Sequence, residues 1–168
     1  VDYLPGSSKF IYSADEGGNE NSHLFVMDRK NNTSKDITPW KNSANSFFGW
    51  SHDKKNMYIN SNKRDVKYFD LIKLDTLTWK PTILYQTDSD LSPSLISKTE
   101  RYVVLTKSIT TDKNEMYLYD RKTKNSKRLS NDKEANWNPM VFEKNDSILY
   151  FSSNEDTEFS YLVKYNIN

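Results

Sequence analysis

The feature that most constrains the fold of this chain is an internal repeat with a period of about 46 residues. Four short apolar runs follow one another at intervals of 47, 46 and 46 residues, and they begin at Phe10, Met57, Val103 and Leu149. After each run come a polar loop and a second apolar run, and these second runs end at Asp28, Asp75, Asp120 and Asn166. Such regular spacing in two separate runs indicates one supersecondary unit copied along the chain.

Each unit continues with two further short segments of strand character. The third strands are expected at Ser34 to Thr38, Lys80 to Tyr85 and Ser126 to Ser130. A strand that opens the following unit is expected at Ser46 to Trp50, Ser92 to Ile96 and Trp137 to Phe142. Four strands in a repeat of 40 to 50 residues are typical of a β-propeller blade.

The sequence therefore predicts an all-β fold, a β-propeller of about four blades with four antiparallel strands each. No segment keeps the apolar spacing of an amphipathic helix over three turns, and an irregular β-sandwich is the alternative. The whole chain is taken as one propeller region, with approximate blades at residues 1–40, 41–88, 89–133 and 134–168. The first and last blades are incomplete, which favours a fragment of a larger propeller with seven or eight blades.

Composition excludes several classes of function. The 24 basic and 23 acidic side chains give a net charge of +1 and are spread evenly, so a nucleic-acid footprint is missing. No run of 18 apolar residues occurs, so a membrane span is not expected. The chain has no cysteine, which excludes disulfides and thiolate chemistry but leaves the compartment open. We favour a periplasmic or secreted location over a cytoplasmic one.

The turn at residues 50–55 carries the first resemblance to a known family. Its sequence Trp50-Ser51-His52-Asp53-Lys54-Lys55 resembles the Trp-Ser-Pro-Asp-Gly-Lys turn of TolB-type propeller repeats, with His in place of Pro and no Gly. Ser and Asp suit such a turn because their side chains can accept hydrogen bonds from free backbone N–H groups.

A narrower resemblance follows from three loops. The segment Asp15-Glu16-Gly17-Gly18-Asn19-Glu20 is similar to the Asp-x-Gly-Gly-Asn-Glu segment in propellers of the prolyl oligopeptidase and dipeptidyl peptidase family of serine peptidases. The loops around Arg64-Asp65 and Glu158-Phe159 resemble the same group. The resemblance implies a propeller that caps an α/β-hydrolase domain and filters access to a Ser-Asp-His triad. That domain would follow Asn168, so no catalytic residue is assigned in this chain.

One short segment invites a catalytic interpretation. Gly49-Trp50-Ser51-His52-Asp53 has a serine two residues after a glycine, as in a nucleophile elbow. An elbow needs a second glycine and a strand-to-helix turn, and a triad draws its members from distant segments. We therefore interpret Ser51 as part of a structural turn.

Metal and cofactor sites are not expected. The only histidines are His23 and His52, so a zinc site would need mostly carboxylate ligands, and we interpret both as structural or solvent-facing. The acidic loop from Asp15 to Asn21 offers oxygen ligands for calcium but does not match the EF-hand pattern. The prediction is that the chain uses no cofactor.

Arg64 and Asp65 are the candidate contact residues. They form either a local ion pair that fixes their loop or a group that lines the central channel, and the first interpretation is favoured. Trp50 and Trp137 are interpreted as core packing rather than as a stacking platform for a saccharide or base. Asn31-Asn32-Thr33 and Asn145-Asp146-Ser147 match the glycosylation sequon.

Two functional hypotheses remain open. The first is the non-catalytic propeller of a prolyl-oligopeptidase-type serine peptidase, which gates peptide access to a C-terminal hydrolase domain. Its partners would be a peptide substrate and that domain. The alternative is a stand-alone TolB-type scaffold that binds a protein or saccharide partner, and a fold alone does not choose between them.

Overall fold

The structure is a computed structural model, and it describes residues 1–167. These residues form fifteen β-strands in four antiparallel sheets and contain no helix. The first sheet holds β1 (Asp2–Tyr3), β2 (Phe10–Ala14), β3 (His23–Asp28) and β4 (Thr33–Asp36). The second holds β5 (Asn45–Trp50), β6 (Asn56–Asp65), β7 (Tyr68–Asp75) and β8 (Pro81–Tyr85).

The remaining strands form two further sheets. The third holds β9 (Ser92–Ile96), β10 (Tyr102–Ser108), β11 (Asn114–Asp120) and β12 (Asn125–Arg128). The fourth holds β13 (Trp137–Phe142), β14 (Ile148–Ser153) and β15 (Tyr161–Asn166). Within every sheet the strands lie in chain order, so each sheet is a meander of hairpins, as in a propeller blade.

The predicted all-β propeller class is confirmed, with four-stranded antiparallel sheets over residues 45–85 and 92–128. The first strand of the first sheet has only two residues, and the described part of the fourth sheet has three strands. The exact blade boundaries, and the number of blades in any longer protein, remain predictions.

Two prolines lie in the interior of strands, at points where the ladder is interrupted, and a third, Pro81, is the first residue of β8. Pro93 in β9 and Pro139 in β13 flank register shifts in their pairing with β10 and β14. Both strands lie at the edge of their sheet. Proline lacks the N–H that a central strand must donate, so an edge strand with a bulge is where it is tolerated.

The chain divides after Asp88 into two compact units, and each unit has its own apolar core. In the first unit, side chains from the first two sheets meet, and they are Ile11, Leu24, Val26, Ile37, Met57, Ile59, Ile72 and Leu74. In the second unit the core comes from the third and fourth sheets and includes Val104, Met116, Leu118, Trp137, Phe142, Leu149 and Phe151. Burial of each such aliphatic side chain contributes roughly 1.5–3 kcal/mol, so sheet-on-sheet packing is the main source of stability.

Each sheet has two different ends. At the turn end lie the tight connections between its first and second and between its third and fourth strands. At the loop end lie the connection between its second and third strands and the segment that follows its fourth strand. No helix in the described residues is long and apolar enough to cross a membrane.

Candidate functional site

The loop end of the second sheet is organised by Arg64, one of the two candidate contact residues. Its Nε donates to Asp70 Oδ2 at 2.9 Å, and its Nη2 donates to Asp70 Oδ1 at 3.1 Å. Nη1 donates to Asp88 Oδ1 at 2.8 Å, and Nη2 also donates to the carbonyl of Thr87. The guanidinium thereby joins the β6–β7 loop to the segment after β8.

Burial makes Asp70 the anchor of this cluster. Its side chain is 1% exposed, and its Oδ1 also accepts a hydrogen bond from Thr87 N at 3.1 Å. The two carboxylates raise the pKa of Arg64 above its usual value, with the hydrogen bonds to Asp70 as the largest cause. A carboxylate in this position has all of its strong partners within the protein, so the cluster fixes loop geometry.

Asp65 has a different role from Arg64. Its Oδ1 accepts a hydrogen bond from Lys67 N at 2.9 Å, which closes the tip of the β6–β7 hairpin. The ion pairs that the structure gives to Arg64 are with Asp70 and Asp88. A direct contact of Arg64 or Asp65 with a substrate or channel remains a prediction.

The loop end of the first sheet contains His23, whose two ring nitrogens both have partners. Nδ1 lies 2.7 Å from Asp36 Oδ2, and Nε2 lies 3.0 Å from the carbonyl oxygen of Trp40. Both partners have hydrogen-bond acceptor atoms, so the ring links β3 to Asp36, at the end of β4, and to the segment that follows it. Asp36 also accepts from Thr38 N at 2.9 Å and so holds the segment that leaves β4.

A polar cavity of about 510 Å³ opens beside this histidine. Its lining combines the β2–β3 loop, the ring of Phe25 and the segment after β4, with Asp15, Glu16, His23, Asp36 and Lys41 as the charged or titratable groups. The loop closes on itself, because Glu20 N donates to Asp15 Oδ2 at 3.2 Å. Gly17 and Gly18 have φ of 66° and 77°, the left-handed region that favours glycine, which accounts for the Gly-Gly pair in the motif.

The third sheet carries a comparable cluster around Arg128. Its Nη2 lies 3.1 Å from Glu115 Oε1, and its Nη1 lies 2.8 Å from Asp132 Oδ1. Nη2 also donates to the carbonyl of Asn131 at 2.9 Å. As in the second sheet, a guanidinium ties the segment after the fourth strand to the sheet.

The three clusters share one repeat position. His23, Asp70 and Glu115 each directly precede the buried residue that opens the second apolar run. Each is paired with a group of opposite charge or a hydrogen-bonding partner, although the pairs differ in chemistry. A side-chain interaction between strand and loop therefore recurs at this repeat position, although different residues form it in each sheet.

Ser51 lies in a strand-to-strand turn between β5 and β6. Its Oγ donates to Asp53 Oδ1 at 2.7 Å and accepts from Asn56 N at 2.9 Å. Asp53 also accepts from Lys55 N at 3.1 Å, and His52 is exposed. The Ser51 proton is directed at the carboxylate of Asp53, whose pKa is lowered by this hydrogen bond, so the partner of Ser51 is a weak base that is poorly suited to activate a nucleophile.

Trp50 and Trp137 contribute to the two cores, and they lie at opposite ends of their strands. Trp50 ends β5 and packs against the core of the first unit, whereas Trp137 begins β13 and is buried in the core of the second. Among residues 1–167, no group of three or more His, Asp or Glu side chains is arranged to hold a metal ion.

Sequence reasoning missed the partners in the loop-end clusters. Asp36, Asp88 and Arg128 were not singled out, because each is separated from its partner by 13 to 24 residues. The available signal was the acidic residue or histidine placed directly before three of the four second apolar runs, which a strand pattern alone does not require.

Comparison with known proteins gives one family match. The sequence profile of the family described as "Prolyl oligopeptidase, N-terminal beta-propeller domain" matches residues 4–168. A curated relative, dipeptidyl aminopeptidase BIII of Pseudoxanthomonas mexicana, is 29% identical over 83 residues. That alignment covers 49% of this chain and only 12% of the relative.

Solved structures show the same fold at low sequence identity. A structure from a study of two prolyl endopeptidases superposes with a TM-score of 0.64 at 14% identity, over 95% of this chain and 25% of that one. TolB from Acinetobacter baumannii superposes with a TM-score of 0.62 at 16% identity, over 95% of this chain and 39% of that one.

Proposed function

The chain belongs to the family of prolyl oligopeptidase N-terminal β-propeller domains, and from this premise we propose that it is the non-catalytic propeller portion of a serine peptidase. In this proposal the propeller gates the access of peptides to a C-terminal α/β-hydrolase domain encoded beyond residue 168. The observation that carries the proposal is the family match over residues 4–168. The name of the dipeptidyl aminopeptidase relative agrees with it.

The geometry of the site favours a structural role for this chain over a catalytic one. The serine that looked most like a nucleophile is hydrogen-bonded to Asp53, and His23 is occupied by Asp36 and the Trp40 carbonyl. The charged clusters at the loop ends fix the geometry of the loops. Charged ties of this kind suit loops that must keep their shape while a peptide passes them.

The first test is the reading frame that encodes this chain. We expect it to continue into a strand followed by Gly-x-Ser-x-Gly and a helix, with the Asp and His of the triad further on in that order. A reading frame with no such motif would contradict the proposal and favour a TolB-type scaffold that binds a protein or saccharide.

The second test is an activity assay on the 168-residue chain with aminoacyl and prolyl chromogenic peptides. We expect only the background rate of hydrolysis, since Ser51 donates to Asp53 and His23 is paired with Asp36 and the Trp40 carbonyl. Turnover that disappears in Ser51→Ala would place catalysis in this chain and contradict the proposal.

The gating role needs a substrate-size comparison in the longer polypeptide. The ratio of kcat/KM for a short peptide to that for an unfolded protein chain reports size exclusion. Asp70→Ala, which frees the β6–β7 loop, should lower this ratio. Asp88→Ala removes only the exposed partner of Arg64 and serves as the control. Equal ratios in wild type and in Asp70→Ala would count against gating by this loop.

A further inference from the structure

The turn between the third and fourth strands has the same backbone structure in the first three sheets. An aspartate opens it, and the Oδ1 of that aspartate accepts a hydrogen bond from the backbone N–H two residues later. These bonds are 3.0 Å long at Asp28, 3.1 Å at Asp75 and 2.8 Å at Asp120. Four residues after the aspartate the backbone is left-handed in all three turns, with φ between 50° and 59°.

The side chains on this turn differ in the second sheet. Two and four residues after the aspartate, the first and third sheets have polar side chains, which are Lys30, Asn32, Lys122 and Lys124. The second sheet has Leu77 and Trp79 at these positions. Leu77 is 89% exposed, and Trp79 has the left-handed conformation, which is unfavourable for a bulky side chain. Because two other copies of the turn form with polar residues, the turn itself does not require this apolar pair.

Leu77 and Trp79 line a cavity of about 420 Å³ where the β7–β8 turn meets β3 and β4. Leu4 and Val26 supply its other apolar side chains. Val26 belongs to the core of the first unit and Trp79 packs against that core, so the cavity lies directly beside it. A volume of roughly 300–1,000 Å³ is usual for sites that hold a small molecule. We call this space the Trp79 cavity.

Two lysines and one aspartate carry the charges of the Trp79 cavity. Lys9 Nζ lies 3.3 Å from Asp28 Oδ2, so these two charges compensate each other. Lys35 pairs with Val26 across β3 and β4, which places its side chain on the same face of the sheet. Among residues 1–167 its ammonium group has no ion-pair partner. The cavity therefore has one uncompensated positive charge beside its apolar side chains.

We propose that the Trp79 cavity binds a small organic anion that consists of one compact apolar group and one carboxylate. The apolar group packs between Leu77, Trp79 and Val26, and the carboxylate pairs with Lys35 Nζ. Asp75 holds the turn through bonds to two backbone N–H groups, at 3.1 Å and 2.7 Å, so Leu77 is in position before the ligand arrives. Such preorganisation lowers the entropic cost of binding. The site lies at the turn end and does not depend on the proposed gating role of the loop ends.

Nuclear magnetic resonance of the ¹⁵N-labelled 168-residue chain tests this proposal with two probes. The first is 4-phenylbutyrate, and the second is 4-phenylbutyramide, which has the same apolar group but no charge. We expect 4-phenylbutyrate to shift the indole N–H signal of Trp79 saturably, with a Kd on the order of 1 mM for a ligand of this size. Trp79→Phe identifies that signal by its loss. The amide should bind about threefold more weakly, because its contact with the lysine lacks the charge.

Three variants separate the two parts of the site. Leu77→Ser should weaken the binding of both probes about fivefold, since it removes apolar contact area. Lys35→Gln should weaken 4-phenylbutyrate about threefold and leave the amide unchanged. Lys67→Gln removes an exposed charge at the tip of the β6–β7 hairpin, at the opposite end of the second sheet, and should bind both probes as wild type does.

The amide spectrum of each variant shows directly that the sheets are retained. The absence of a saturable shift at the Trp79 indole of the wild-type chain would overturn the proposal. So would a Lys35→Gln variant that weakens both probes equally, because the lysine would then not recognise the charge of the ligand.

Discussion

The two ends of each sheet are stabilised in different ways. At the turn end, Ser51 and Ser97 occupy the same repeat position, and each hydroxyl accepts a hydrogen bond from a backbone N–H five residues later, at 2.9 Å and 3.1 Å. At the loop end, one repeat position carries His23, Asp70 or Glu115, and its partner lies 6 to 17 residues away. In the second and third sheets the turn end is a local motif repeated with little change, whereas the loop ends of the first three sheets carry separate clusters of different chemistry.

This difference indicates where the repeat leaves room for function. The backbone hydrogen bond that closes the turn, from an N–H to the carbonyl five residues later, is present in all four sheets. In the second and third sheets a serine hydroxyl adds a second bond, so the sequence of these two turns is restrained. At the loop end, any pair of complementary charged or hydrogen-bonding side chains can hold the loop to the sheet. The residues of the pair can therefore differ from sheet to sheet without loss of the fold. Functional variation is therefore expected at the loop ends.

The largest effect should come from the buried carboxylate of the loop end. Asp70→Ala removes the buried carboxylate that accepts hydrogen bonds from Thr87 N and from two guanidinium nitrogens of Arg64, so we expect a loss of about 2–3 kcal/mol in the free energy of unfolding. Urea denaturation measures it. The matched control is Asp88→Ala, since Asp88 is 74% exposed and its pair with Arg64 contributes about 0–1 kcal/mol. Equal losses in both variants would show that Asp70 does not anchor the cluster.

Removal of the serine hydroxyl at the turn end should lower the stability by a similar amount in the second and third sheets. Ser51→Ala and Ser97→Ala each remove the acceptor of a backbone N–H at a buried site, so each should cost about 1–2 kcal/mol. Thermal and urea unfolding of both variants measure the losses. A cost in one sheet and none in the other would break the idea of one repeated motif.

A smaller change in the free energy of unfolding is expected at the residue of the same turn that has a left-handed backbone conformation. The change should have opposite signs in the second and fourth sheets. Lys54 and Asp146 both have positive φ, 58° and 57°, where the TolB-type motif has Gly. Lys54→Gly should stabilise the protein by about 0.5–1 kcal/mol, because glycine adopts this conformation without a steric cost.

Asp146→Gly should instead destabilise the protein. The Asp146 carboxylate accepts hydrogen bonds from Lys98 N at 3.2 Å and Thr99 N at 3.0 Å, and so joins two turns of the second unit. The loss of these bonds outweighs the relief of strain. Denaturation of the two variants under the same conditions gives the comparison, and a gain in both would show that the Asp146 bonds contribute nothing.

The smallest effect concerns pH. The pKa of Asp53 is lowered from its usual value, first because Ser51 Oγ donates to it and next because Lys55 N does. A lowered folded-state pKa gives stability that is present above the unfolded-state pKa of about 3.9 and is lost as the pH falls through the folded-state value. The difference in urea midpoint between wild type and Asp53→Asn should thus be constant from pH 7 to about 5 and narrow in more acidic solution. A difference that widens in acid would contradict this sign.

The fold could be predicted from the sequence because its signals are local and repeated. The apolar runs that begin at Phe10, Met57, Val103 and Leu149 became β2, β6, β10 and β14, and the turn around Ser51 formed as its residue types indicate. The loop-end pairs could not be predicted, because Arg64 lies 24 residues from Asp88 and only the folded sheet brings them together. Asp65 was predicted as the partner of Arg64 because the two are adjacent in sequence. The residue that anchors the cluster is Asp70, on the next strand.

The proposal that this chain is the non-catalytic propeller portion of a serine peptidase is tested most directly by covalent labelling. The longer polypeptide that contains this chain is treated with a fluorophosphonate, which reacts with activated serines, and the labelled peptide is located by mass spectrometry. We expect the label on a serine of a Gly-x-Ser-x-Gly motif beyond residue 168, and no label on the isolated chain. A label on Ser51, or on any serine within residues 1–168, would contradict the account.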